Sequence, residues 1–242
     1  MCTVSLIRTT DRLRVACNRD EQRTRLPAIV PQVIERDHQS VVMPLDPIGG
    51  GTWIAATSRG RVFVILNVNP SNTTILPGRT SRGRVIPALV DAVDMQDVAL
   101  RAGRLSLRSY SPFHLVVVDR SSGLSLRWDQ QTFSVNVLQS DAMVFSSSGL
   151  GDGRVERPRA ELFDEMVIHA PDRVGAQDAF HAHQWSDRPE LSVLMERADA
   201  RTVSRTVVDV DAAQLRMSYH MIGESQDQVV NLPVEQDAFR CG

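Results

Sequence analysis

The residues with the most chemistry to offer stand near the N-terminus: Cys2, and then the run Asn18-Arg19-Asp20-Glu21. Removal of Met1 would make Cys2 the first residue. Its α-amino group, with an unperturbed pKa of roughly 7.7–8.0, can then serve as the base for its own thiol. Asp20 is the kind of carboxylate that orients such a pair. Asn67 is the kind of amide donor that stabilises a tetrahedral oxyanion, where one donor contributes about 2.7–4 kcal/mol. Together these groups are equipment for amide hydrolysis or acyl transfer. The plainer roles are a small buried hydrophobe for Cys2, a turn cap for Asp20, and turn formers before Pro70 for Asn67 and Asn69.

Chemistry of that kind needs elements that bring the groups together. Residues 3–7 and 13–17 alternate polar and apolar around a polar break at 8–12, which predicts a β-hairpin. Pairing Ile7 with Leu13 sets Cys2 opposite Asn18 and close to Arg19 and Asp20. Residues 52–57 and the apolar run 62–66 flank Ser58-Arg59-Gly60 and predict a second hairpin, with Asn67 opposite Thr52 beside Gly49-Gly50-Gly51. The proline-bearing stretch 21–48 reads as loop with a short edge strand near 39–43.

Further along, the apolar spacing over 82–102 suits one or two helices, with Pro87 in a first turn. Strands are expected at 113–119, 124–128, 132–138 and 142–146 as one antiparallel meander. Helices follow at 160–169 and 177–184, then strands at 202–210 and 215–222. Helices grouped between runs of antiparallel strands indicate an α+β fold, here expected as a single domain over 1–242. Arg157 and Arg159 read as a solvated helix start and Trp53 as core or pocket wall. His181 and His183 sit two apart on a helix, so they face different directions and no metal site is expected.

Composition narrows the classes. The 242 residues carry a net charge of −2 and no long basic run, which leaves no footprint for nucleic acid or an anionic membrane. No apolar stretch has the length of a membrane span, and no secretory leader is visible, so a cytoplasmic protein is expected. Every basic side chain is arginine, because the sequence contains no lysine. Schiff-base, pyridoxal-phosphate and P-loop chemistries, which need lysine, are thereby excluded. The three cysteines, Cys2, Cys17 and Cys241, form neither a CxxC pair nor an even disulfide framework.

Met1-Cys2-Thr3, Asn18-Arg19-Asp20-Glu21, Gly50-Gly51-Thr52-Trp53, Asn67 and Arg82-Gly83 occur in the order seen in the NRDE family, which this chain resembles over most of its first 120 residues. That family in turn resembles the N-terminal nucleophile hydrolases, especially the penicillin V acylase and bile salt hydrolase branch. The resemblance implies a four-layer αββα sandwich and a cysteine nucleophile acting on a non-peptide C–N bond. Asn18 and Asp20 match the branch's Arg-Asn-x-Asp stretch, while Cys17 holds the arginine's place. Arg19 stands just beyond and, by strand alternation, is expected on the other face. Ser146-Ser147-Ser148-Gly149 lies where the hydrolases place a second asparagine. Arg201-Thr202-Val203-Ser204 resembles the family's late Gly-Thr-Arg-Ser stretch, which makes Arg201 a candidate active-site arginine with Arg205 as its rival.

The resulting expectation is an amidohydrolase with Cys2, Asn18, Arg19, Asp20, Asn67 and Arg201 in its site. It needs no metal or cofactor and takes a small-molecule amide or hydrophobic ligand; a homo-oligomer is left open. The alternative is a non-catalytic carrier on the same fold, since the resemblance also implies haem or lipid handling. Haem would need an axial ligand, for which only Cys2, Cys17 and scattered histidines are on offer, and no haem motif is present.

Overall fold

The computed structural model describes residues 2–69 and 79–235; Met1, Pro70 and Cys241 lie outside them. The strands run β1 (Cys2–Arg8), β2 (Leu13–Gln22), β3 (Ile29–Arg36), β4 (Gln39–Leu45), β5 (Ile54–Thr57) and β6 (Val62–Asn67), followed by helices α1 (Val85–Leu89) and α2 (Met95–Gly103). Next come β7 (Phe113–Val118), β8 (Gly123–Trp128), β9 (Phe133–Val137) and β10 (Ala142–Ser146), then α3 (Gly153–Phe163) and α4 (Arg173–Ala182). The chain closes with β11 (Ala200–Val210), β12 (Gln214–Met221) and β13 (Gln228–Pro233).

Two antiparallel sheets form, in the orders β10-β1-β2-β11-β12-β13 and β3-β4-β5-β6-β7-β8-β9. They face each other across a core that includes Val4, Leu6, Val15, Ile65, Leu115 and Met217. Helices α3 and α4 cover the outer face of the first sheet, where Ile7, Phe163, Val167 and Phe180 make a second apolar cluster. Helices α1 and α2 pack against the second sheet through β6 and β8. The result is the expected α+β sandwich of helix, sheet, sheet and helix layers.

Several elements depart from the sequence reading. The strand expected near 39–43 is β4, but it lies inside the sheet, and part of the stretch expected to be loop forms the edge strand β3, where Pro31 is tolerated because the register shifts between Ile29 and Gln32. Strand β10 leaves the meander to pair with β1 in the other sheet. Helix α3 begins at Gly153, well before the expected start, and contains Pro158. Strand β13 was not anticipated.

Both hairpin registers differ from expectation by one residue. Arg8, not Ile7, faces Leu13, so Cys2 lies opposite Arg19 and Thr3 opposite Asn18. The loop is tighter than expected because Thr9 donates its N–H to the Arg12 carbonyl at 2.8 Å. In the second hairpin Ile54 faces Val64, and Asn67 pairs with Phe113 on β7 rather than with Thr52.

The triple glycine has a steric reason at its last position. A Cβ on Gly51 would stand 2.3 Å from the backbone C and O of Gly83, and Thr52 donates its N–H to the Gly83 carbonyl at 2.9 Å. Gly51→Ala is therefore expected to separate these two segments and to cost about 1–3 kcal/mol of unfolding free energy. Chemical denaturation checks this; an unchanged midpoint would mean that the backbone there yields freely.

Candidate active site

Strand alternation sorts the first hairpin into two sets of side chains. On the inner face, Cys2 and Val4 of β1 oppose Arg19 and Cys17 of β2. On the outer face, toward the helices, stand Thr3 and Ser5 with Asn18 and Ala16. Cys17 and Arg19 are two residues apart and share a face, so the expectation that they point to opposite sides is corrected.

The inner set opens onto a cavity of about 530 Å³. Cys2, Arg19, Trp53, Asn67 and Arg82 line it together with Glu21, Gly51 and Gly149. Cys2 is only 4% exposed, so little beyond that opening reaches it. The Arg19 guanidinium lies 4.4 Å from the centroid of the Trp53 ring and pairs with Glu21 at 3.2 Å. A stacked and paired guanidinium of this kind is held in one orientation.

The Cys2 thiol is lowered below its ordinary range, foremost by a hydrogen bond from the Cys17 thiol. Burial and the Asp20 charge oppose this shift, and the Arg19 charge assists it. Cys17 is correspondingly raised, by that same bond and by burial. Cys2 is thus the member of the pair that ionises, and Cys17 is its donor. The backbone at Cys2 is clamped as well: Ser147 Oγ accepts from Cys2 N at 3.1 Å, and the Ser147 N–H donates to the Cys2 carbonyl at 2.9 Å. Ser147 therefore fixes the nitrogen at the expected position of the second asparagine.

Asp20 is buried beside this group, and its Oδ1 accepts from Thr202 Oγ1 at 2.6 Å. Burial raises its carboxyl, with the Arg159 charge the first of the influences holding it down. Arg159, read from sequence as part of a solvated helix start, is only 1% exposed. It donates to Thr3 Oγ1 at 2.7 Å and to the carbonyls of Leu191 and Ser192 at 3.0 and 2.7 Å. Arg157 does face solvent and pairs with Glu161. The readable signal for Arg159 was its place on an apolar stripe: Val155, Arg159 and Phe163, each four residues apart, are the buried face of α3.

Asn18 does not face the cavity. Its Nδ2 donates to the carbonyls of His181 and Val193, and its Oδ1 contacts His181 Nδ1 at 3.0 Å. His181 Nε2 contacts Ser5 Oγ at 2.7 Å, and burial lowers the imidazole to about 3, so the ring is neutral. Asn18 therefore ties β2 to α4, which corrects its expected place in the site. Arg201 is exposed and lines a neighbouring cavity, not the one holding Cys2. Arg205 lies opposite Asn18 and acts electrostatically on His181. Arg82, which the sequence reading left without a role, lines the Cys2 cavity and donates to the Pro112 carbonyl at 2.9 Å. Among the described residues no cluster of His, Cys, Asp or Glu could hold a metal ion. No helix among them is long and apolar enough to cross a membrane.

This layering, with a cysteine at the head of the first strand, is that of the N-terminal nucleophile hydrolase fold. Solved structures agree. A mutant conjugated bile acid hydrolase from Clostridium perfringens aligns with a TM-score of 0.55 at 11% identity, covering 96% of this chain and 92% of that one. The Caenorhabditis elegans ortholog of N-acylethanolamine-hydrolyzing acid amidase aligns with a TM-score of 0.59 at 12% identity, covering 85% and 92%. At such identities the likeness is one of fold. The chain belongs to the Transport and Golgi organisation 2 family, whose model matches residues 1–213. No curated protein sequence matches it.

Proposed function

We propose that this protein is a cysteine N-terminal nucleophile amidohydrolase acting on a non-peptide amide once Met1 is removed. The observation that carries the reading is the Cys2 thiol, lowered by its donor Cys17 and set at the wall of a cavity. With Met1 gone, the nitrogen held by Ser147 becomes an amine and takes the thiol proton. The thiolate attacks the substrate carbonyl carbon, and the carbonyl electron pair moves onto oxygen, where Asn67 donates to the oxyanion. Collapse of that intermediate breaks the C–N bond, and the proton held by the Cys2 amine leaves with the departing amine. Water, deprotonated by the same amine, then cleaves the thioester to release the acid and restore the thiol. Asp20 supplies negative charge beside the ammonium that forms. In this scheme Arg19 walls the cavity, and Asn18 acts through the position of β2.

The test begins with intact-mass spectrometry of untagged protein before and after brief iodoacetamide treatment at neutral pH. Expected are loss of Met1 and modification of Cys2 ahead of Cys17, followed by amine release from a panel of N-acyl amides that Cys2→Ala abolishes. Met1 retained, or a Cys2 that does not react, would overturn the hydrolase reading and leave the carrier.

A further inference from the structure

The two sheets end in four edge strands, β10 and β13 in the first and β3 and β9 in the second. An edge presents backbone donors and acceptors that can pair with another chain, and proteins blunt it with prolines, bulges, charges or a covering element. Three of these edges are blunted. Strand β10 packs against α3, while β3 and β13 pack against each other and carry Pro31 and Pro233. Strand β9 has no such device. Segment 132–138 contains neither a charged residue nor a proline, its ladder with β8 runs without a register shift, and among the described residues no strand pairs with its open side.

The ladder fixes which backbone groups are open. Leu138 donates its N–H to the Gly123 carbonyl at 2.9 Å, and Asp129 donates to the Thr132 carbonyl at 3.3 Å. Residues 132, 134, 136 and 138 therefore spend their backbone groups on β8, and antiparallel alternation turns the N–H and C=O of Phe133, Val135 and Val137 outward. The side chains of the same three residues share one face of the strand. Val135 is 40% and Val137 61% exposed, so backbone groups and apolar side chains are left open at the same positions.

We propose that β9 is the pairing edge of a two-fold symmetric dimer, in which a second copy of this chain adds its own β9 antiparallel about an axis at Val135. Val135 then faces Val135 of the second copy, and Phe133 faces Val137 in both directions. This register is singled out because all three residues with outward backbone groups meet residues of the same kind, so each facing pair exchanges both of its hydrogen bonds. The facing side chains are apolar throughout and bring no charge against its like. A two-fold contact of this kind consumes the one open edge of each copy, which ends the assembly at two. None of these residues lines the Cys2 cavity, so the proposal stands apart from the hydrolase reading.

Sedimentation velocity of the full chain over a wide range of concentration tests the dimer. The mass is expected to rise to twice that of the monomer as concentration increases. Val135→Lys, which sets two like charges face to face at the axis, should leave a monomer at every concentration, whereas Val229→Lys on the edge strand β13 should dimerise like the wild type. The register is tested separately by mild oxidation: Val135→Cys should give a disulfide-linked dimer whose bridge maps to position 135 in both copies, while Ser134→Cys, which would face Asn136, should not link through position 134. A wild-type protein that stays monomeric, a dimer that survives Val135→Lys, or linkage through position 134 as ready as through 135 would overturn the proposal.

Discussion

Arg159→Met is expected to lower the unfolding free energy by about 3–5 kcal/mol, the usual cost of removing one member of a buried charged group. The change strips the donor from Thr3 Oγ1 and from the carbonyls of Leu191 and Ser192, all within the layer that joins β1 to the helices. It also removes the first of the influences that hold the buried Asp20 carboxyl down. A carboxyl raised above its unfolded value stabilises the fold below that value and loses this contribution as pH rises through its folded pKa. Without Arg159 the Asp20 carboxyl climbs further, so the loss deepens on the alkaline side. Denaturant titrations at about pH 7 and about pH 4 should therefore show the larger destabilisation at about pH 7. An equal loss at both would mean that Arg159 acts through its hydrogen bonds alone.

Cys17→Ala should move the pH profile of Cys2 alkylation to higher pH and slow the reaction at neutral pH by about tenfold, the worth of one hydrogen bond to a charged acceptor. The two proteins should converge in alkaline solution, where both thiols are ionised. Cys17→Ser, which keeps a donor, should recover part of the lost rate. Peptide mapping of wild-type protein should place the label on Cys2, because Cys17 is raised and fully buried. A Cys17→Ala protein that reacts like wild type would show that Arg19 and the cavity, rather than the second thiol, set the reactivity of Cys2.

The sheet elements were legible wherever apolar residues alternate, as in 13–17 and 62–66, because burial of one face imposes that period. The registers were not, since a hairpin's register depends on how its loop closes. The Thr9–Arg12 hydrogen bond, and the positive φ of 75° at Gly60, each shorten a loop in a way that composition does not reveal. Cys2 and Asn67 could be read as neighbours because each lies at a strand end of its hairpin, and both do line one cavity. Asn18 could not be placed, as the one-residue slip turns it to the helix side. Arg159 was hidden by Pro158, which suggests a boundary where α3 in fact continues.

The interleaving of β2 has a further consequence. Arg19 lines the cavity and Cys17 lies buried on the same face behind Cys2, whereas Asn18 reaches the helix layer through His181 and Asp20 reaches Thr202 of β11. A run that reads as one word is two words spelled in alternate letters. Changes at 17 can retune the Cys2 thiol and changes at 19 what the cleft accepts, without disturbing how the helices dock, and changes at 18 can loosen that docking without altering the cleft's wall. Mutational tolerance should therefore split by parity along this strand, giving the protein a way to vary its chemistry while its architecture is inherited intact.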